Sequence, residues 1–582
     1  MIGAPPARPA LSVPSSQRLT IPAAFIVAVM TNAVVLWHFH DRYWYPVDEG
    51  VYATIAERLL AGEVLHTQIQ DFHPGYGDFL NAAAFRMFGV DLLSLRYPLI
   101  AGALLQSVFV FALLHRRSAL LAACAAVASV TLGVIHFLNP TPHWYALFGM
   151  CALVYWLERI PRHHWMRLVG AGVLVGIITL FHQLVGVLVA AGVLAVTLDE
   201  ESGNARGADT RLAQALLLLP LIGLVVYLWR SPAMEWTGLL LFASWPVAVL
   251  VRTIRCTRTA NASAARVALS LAMGAVLSTI PLAVYCTVHG STKETVRESL
   301  FSALSLGVRN AEAQSWYALT PLVALYQVFA PSTPADVANG LFWTALPLLA
   351  AFNGLFILTS NEGRRSLYAL PTVSAFYGIS SLYMQDVIYL FFSAGVSMAS
   401  ILWWLSRHPL PVKIAGALTA SGLAAVAIAF HAAQPATRTN IEMLHGTNVL
   451  RGAWAEPLKR AHLHLYAVEQ FPYASVVNFI DTKVALDARI FAVPNDAQLY
   501  FLTGRLNPFR FYNTGLGIQS DIELAGVLQT LRTQPPAVIT FRPSDQYNTS
   551  ASNAIMEYVR GHYERVASFG EVEIFRKPEP RR

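Results

Sequence analysis

Charge is what this chain has least of. Asp, Glu, Lys and Arg together make up 13% of its 582 residues, about half the 25% usual in soluble globular proteins. Hydrophobic residues make up 55%, more than a water-soluble surface can hide. Cysteine is equally scarce: Cys124, Cys151, Cys256 and Cys286 are the only four. They form no CxxC and no zinc spacing, which excludes a disulfide-stapled secreted domain and leaves them as small hydrophobes. Disordered, collagen-like and coiled-coil chains are excluded by the same composition. No Asp-x-Asp pair occurs, and the long apolar runs carry no relay of Asp, Glu or Lys. The net charge of +7 comes from short basic clusters scattered between apolar runs. Nucleic acid binding would gather them on one face or tail, so no nucleic acid partner is expected.

What is present is a series of apolar runs of membrane-spanning length. Residues 1–19 read as a disordered cytoplasmic N-terminus, without the small-residue site of a cleavable signal. Thirteen spans are expected, at 20–40, 95–114, 118–137, 143–158, 168–183, 184–197, 212–230, 236–251, 267–289, 339–359, 367–383, 388–405 and 414–433. The 312–330 run is left out as short or re-entrant. With the N-terminus in the cytoplasm, the short inner loops hold Arg116, Arg117, Arg159, Arg162, Arg167, Arg206, Arg211, Arg252, Arg255, Arg258, Arg266, Arg364, Arg365, Arg407 and Lys413. The short outer loops hold only Arg230. Fifteen against one obeys the positive-inside rule. The chain thus reads as a polytopic α-helical protein of the cytoplasmic (inner) membrane, surrounded by membrane lipids.

Two outer loops are long, 41–94 and 290–338. After residue 434 the composition changes: 16 Lys/Arg stand against 14 Asp/Glu. Helix-like stretches (Tyr473–Ala485, Ile522–Thr533, Ala551–Gly561) alternate with strand-like ones (Ala488–Val493, Ala537–Phe541, Glu571–Phe575), punctuated by Asn507-Pro508, Gly515 and Pro535-Pro536. Residues 434–582 therefore read as an extracytoplasmic α/β domain, following a membrane domain at 20–433.

The chemistry-bearing residues converge on one membrane face. In the first loop, Asp48-Glu49-Gly50 opens a helix in which Tyr52, Ile55, Ala56, Leu59 and Leu60 recur at helical spacing, with Asp48 expected at the N-cap. Asp71-Phe72-His73-Pro74-Gly75 forms a turn before a second amphipathic helix, Phe79–Phe88. An N-cap Asp and a turn His need no further role. The topology, however, also brings Asn139, His143, His182, Gln183, Gln385 and Asp386 to that face. Polar groups at membrane depth are costly and usually line a cavity.

These motifs resemble those of the GT-C glycosyltransferases, in the branch with protein O-mannosyltransferases and the aminoarabinose transferase of lipid A. The resemblance lies first in the span followed by Asp48-Glu49-Gly50 and Asp71-Phe72-His73-Pro74. Weaker matches are Asn139-Pro140-Thr141-Pro142-His143-Trp144, Phe181-His182-Gln183-Leu184-Val185-Gly186, Gln385-Asp386 and Tyr500-Phe501-Leu502-Thr503-Gly504-Arg505. The sequence departs from the pattern in having His73 where many relatives have Lys, and Asn139 and His143 where some have a second Asp.

The resemblance implies a glycosyltransferase that takes a sugar from a polyprenyl-monophosphate donor. The acceptor would be a lipid, glycan or protein on the outer face. Asp48 would be the catalytic base of an inverting attack and Glu49 secondary. At a helix N-terminus Asp48 is expected to have a low pKa. Donor and substrate contacts fall to Arg58, His73, Asn139, His143, His182, Gln183, Lys293, Arg297, Arg309 and Asp386. A monophosphate donor needs little charge neutralisation, so neither metal nor other cofactor is expected. The alternatives are a transporter or flippase of a lipid-linked glycan and a non-catalytic GT-C-like assembly protein.

Overall fold

The computed structural model describes residues 17–162, 164–202, 209–230, 236–302, 325–331, 334–359, 367–382, 388–433, 452–545 and 547–578. The chain begins with α1 (Gln17–Phe39), continues through α2 (Pro46–Leu60) and α3 (Tyr76–Phe88), and enters a run of long helices at α4 (Leu92–Leu114). There follow α5 (Ala119–Thr131), α6 (Pro142–Arg159), α7 (Trp165–Phe181) and α8 (Gln183–Glu200). Further helices cover Arg211–Arg230, Leu239–Cys256, Asn261–His289, Pro334–Thr359, Ala369–Gly378, Ile388–Leu405 and Leu410–Ala433. Each of the thirteen expected segments thus contains a helix. Nine helices among the described residues are long and apolar enough to cross a membrane.

Lipid offers no hydrophobic drive between helices, so close packing must hold them together. Small residues make it possible. Where α7 crosses the Asn261–His289 helix, a Cβ on Gly172 would stand 2.2 Å from the Leu271 carbonyl oxygen, and one on Gly274 2.1 Å from that of Val169. Polar side chains add internal bonds: Asn32 on α1 donates to the Ser107 hydroxyl (2.7 Å) and the Ala126 carbonyl (2.9 Å), joining α1, α4 and α5.

The C-terminal region folds around a four-stranded sheet in the order β1 (Ile490–Val493), β2 (Val538–Phe541), β4 (Val572–Arg576), β3 (Glu564–Phe569). β1 and β2 are parallel, while β4 runs antiparallel to both its neighbours. β1 and β2 are buried along their whole length, and Phe491, Ile539 and Phe541 pack with Val527, Leu531 and Ile555 of the flanking helices. The helices Tyr473–Lys483, Asp521–Thr533 and Ser550–His562 lie where the sequence pattern puts them. β3 does not: it is an edge strand in which only Ala567 and Phe569 are half-buried, too short a period-two signal to mark a strand.

This sheet domain is fastened onto the first loop. The helix Ala497–Thr503 lies against α2 so closely that a Cβ on Gly50 would stand 2.3 Å from the backbone nitrogen of Gln498. Thr54 of α2 donates to the Ala497 carbonyl (3.1 Å). The buried face of α2 is Glu49, Gly50, Ala53, Thr54, Ile55 and Ala56, whereas Leu60 is exposed. The α2 helix therefore packs against the sheet domain along one side, not only along an apolar surface face.

Candidate active site

The site is built from helix ends. Pro46, with its fixed φ and missing N–H, starts α2 at the position where Pro fits best, and Tyr45 is the N-cap residue. Asp48 is therefore the third helical residue and makes no capping bond, which corrects the N-cap expectation. Its Oδ2 accepts instead from the Asn139 side-chain amide (3.1 Å), in the turn that leads into α6. The expected low pKa is corrected too. Desolvation, with the nearby Glu49 charge, raises Asp48 to about 6, against the opposing pull of the Asn139 bond and the His73 charge. The residue as a whole keeps some exposure, but its carboxyl is enclosed enough for desolvation to outweigh a helix N-terminus, whose field is worth about 0.3–1 kcal/mol.

His73 sits in the turn before α3. Its Nδ1–H donates to Asp71 Oδ1 (3.2 Å), an oxygen that also accepts the Phe72 N–H (2.8 Å). Burial would lower His73, but the Asp71 charge and hydrogen bond, with Asp48 nearby, outweigh it and raise the imidazole above its ordinary value. His73 thus lies against Asp71, with the Asp48 charge nearby.

A pair of histidines adjoins it. His143, in the first turn of α6, and His182, between α7 and α8, meet Nε2 to Nε2 at 3.1 Å, one donating to the other. Both are buried. The His73 and His182 rings lie 5.6 Å apart edge to face, and His143 stacks on Phe392 at 4.6 Å. Gln183, the first residue of α8, donates to the carbonyls of Phe72 (2.5 Å) and Ser299 (2.6 Å). It thereby ties the first long loop to the second. Asp48, His73, Asn139, His143, His182 and Gln183 are thus brought together from four separate stretches of chain.

Other expected contacts lie elsewhere. Arg58 spends its N–H groups on Glu63 (2.6 Å), the Phe509 and Gln68 carbonyls and the Tyr512 hydroxyl. A guanidinium so occupied joins the loop to the sheet domain. Glu49 is fully buried, bonded through Oε1 to Arg96 (2.6 Å) and through Oε2 to the Tyr45 N–H (3.0 Å). There it braces the turn from α1 into α2. Lys293 and Arg297 are exposed, Arg297 lying 3.7 Å from Glu298. Arg309, Gln385 and Asp386 fall outside the described residues, as do Arg206, Arg364 and Arg365.

Two buried charged residues stand beside the site without having been named as site candidates, although Asp78 closes the Asp71–Asp78 cluster of the first loop. Arg96 is fully buried and reaches the His40 carbonyl (2.5 Å), the Tyr43 carbonyl (2.7 Å) and Glu49, so it fixes the turn from α1 into α2. Its signal was a lone charge at the start of an apolar span, a costly placement that marks a function. Asp78, in the first turn of α3, is buried beside Asp71. Among the described residues no group of three or more His, Cys, Asp or Glu is arranged to hold a metal ion.

No family model matches the chain, and no curated protein matches its sequence. Solved structures align along most of the chain at low similarity. ArnT from Cupriavidus metallidurans bound to undecaprenyl phosphate is 13% identical with a TM-score of 0.44, over 97% of this chain and 98% of that one. The oligosaccharyltransferase of Archaeoglobus fulgidus is 11% identical with a TM-score of 0.42, over 89% of this chain and 69% of that one.

Proposed function

We propose that this protein is a membrane glycosyltransferase that moves a sugar from a polyprenyl-monophosphate carrier to an acceptor hydroxyl on a lipid, glycan or protein. The observation that carries the reading is the pairing of Asp48, bonded to Asn139 and raised to about 6, with His73, which Asp71 holds above its ordinary value. A carboxylate with a pKa near the working pH is a better base than an ordinary surface Asp. A neighbouring cation suits a leaving group that gains negative charge.

In this scheme the acceptor oxygen attacks the anomeric carbon from the face opposite the phosphate, and its proton passes to Asp48. The bond from anomeric carbon to phosphate oxygen breaks, and the polyprenyl phosphate leaves with the electron pair, its charge met by His73. The configuration inverts. His143, His182 and Asn139 line the place where the sugar and acceptor meet.

The motif likeness of the first loop to the GT-C enzymes supports the same reading. A flippase needs no poised base at a helix end, and an assembly protein needs no raised imidazole beside it. The test is sugar transfer from a synthetic polyprenyl-phosphate donor by the purified protein, alongside mass spectrometry of the glycans and lipids of a deletion strain. A deletion strain with an unchanged envelope, and a protein that neither transfers nor hydrolyses any such donor, would overturn the proposal.

A further inference from the structure

The first loop holds a carboxyl that the scheme above leaves unused. Asp78 is 4% exposed and Asp71 8%. Asp71 Oδ1 is taken up by His73 and the Phe72 N–H. The other oxygen, Asp71 Oδ2, is buried and has no hydrogen-bond partner, and Asp78 Oδ2 is in the same position. The two carboxyls are near enough for the Asp71 charge to push Asp78 up. Two buried like charges so close cannot both ionise.

We propose that Asp78 is a positioning residue that carries a proton and donates it to Asp71, so that Asp71 remains a single fixed anion aimed at His73. The inference deepens the glycosyltransferase reading and rests on it for its catalytic meaning. It fits the surroundings of the pair. Asp71 is held below the usual carboxylate range, because its hydrogen bonds and the His73 and His66 charges overcome burial. Asp78 is pushed up by burial and by the Asp71 charge. The other titratable groups that face the pair are Tyr52 from α2 and Tyr512 from the sheet domain. Neither supplies a positive charge that would let Asp78 ionise.

With the proton in place, one carboxylate plane is locked by three donors, and the His73 ring is locked by that carboxylate. Without it, Asp71 Oδ2 is a buried acceptor with no donor, the carboxylate is free to rotate, and the imidazolium loses its aim at the leaving phosphate. Asn in place of Asp78 keeps an N–H donor at the same reach, whereas Ala keeps none.

The test compares wild type, Asp78→Asn and Asp78→Ala. Infrared difference spectra are taken at pH 8, where Asp48 is ionised. The carbonyl stretch of a protonated carboxylic acid should be present in wild type and absent from both variants. Its absence from wild type, or persistence in Asp78→Asn, would overturn the shared proton. Turnover per folded molecule should fall about tenfold to a hundredfold in Asp78→Ala, the cost of a misplaced catalytic group, and return to within about threefold of wild type in Asp78→Asn. Equal losses in both variants would mean that the carboxyl itself reacts. Wild-type turnover in Asp78→Ala would mean that it positions nothing. The infrared arm needs no activity: a band that behaves as expected in a protein with no sugar transfer would sink the glycosyltransferase reading while the shared proton stands.

Discussion

At Asp48 two demands oppose one another. A base must be enclosed to be strong, yet an enclosed anion costs stability. A carboxyl whose folded pKa is raised above its unfolded value is favoured in the fold when protonated. Its stability contribution is best at low pH, declines as pH rises from near 4 through about 6, and stays at its lowest above that. Asp48→Asn removes that cost and keeps an oxygen for Asn139. The expected outcome is therefore a higher melting temperature than wild type at pH 7.5, with the difference gone near pH 4. Sugar transfer should drop on the order of 10²–10⁴-fold. For the wild type, kcat/KM should climb with pH through about 6 and level off above it, because only the ionised carboxylate accepts the proton. A variant that melts like wild type and keeps more than about a tenth of its turnover would remove Asp48 from the chemistry.

At the scale of elements, the site depends on where α2 is held. One end is fixed by the buried Glu49–Arg96 pair, the flank by the sheet domain at Gly50. Losing one partner of a buried pair leaves an unpaired charge and costs about 3–5 kcal/mol, so Arg96→Gln should lower the unfolding midpoint sharply, and Arg96→Gln with Glu49→Gln should recover part of the loss. Gly50→Val places atoms where the Gln498 backbone already is. Overpacking of this kind costs about 1–3 kcal/mol, and the displaced α2 should take turnover down with it; a Gly50→Val protein with wild-type melting and activity would mean that the contact does not position the helix. These contacts explain what the sequence revealed and what it withheld. That Asp48, His73, Asn139, His143, His182 and Gln183 come together was legible because the order of apolar spans puts them at helix ends. The roles of Arg96 and Asp78 were not, because their partners are distant in sequence or lie across a turn. The Asp48 pKa was misread because the local rule, an Asp near a helix N-terminus, gives way to enclosure by residues from another helix. Two of the partners of Arg58, Phe509 and Tyr512, lie some 450 residues away, where no local pattern reaches.

For the whole molecule the open question is which way round it sits, and the charge pattern answers it by expectation. Lys and Arg next to short loops resist crossing the membrane, whereas long loops cross largely regardless of charge. The fifteen basic residues on one set of short loops and the single Arg230 on the other would put the N-terminus in the cytoplasm. The loop 41–94 and the sheet domain would then face outward. The structure requires these last two to share a side: Arg58 bonds to Phe509 and Tyr512, and Arg510 to Glu298 and the His66 carbonyl. Asp48, the second long loop and the C-terminal domain thus stand or fall together in topology. A reporter that is active only in the cytoplasm, fused after Arg582, should be silent, and one fused in the 116–117 loop should be active. A Gln519→Cys variant, which puts a thiol in the sheet domain, should react with a membrane-impermeant maleimide in intact cells. An active C-terminal reporter together with an unreactive Gln519→Cys protein would turn the molecule over and put the site on the cytoplasmic face, where a different set of acceptors would meet it.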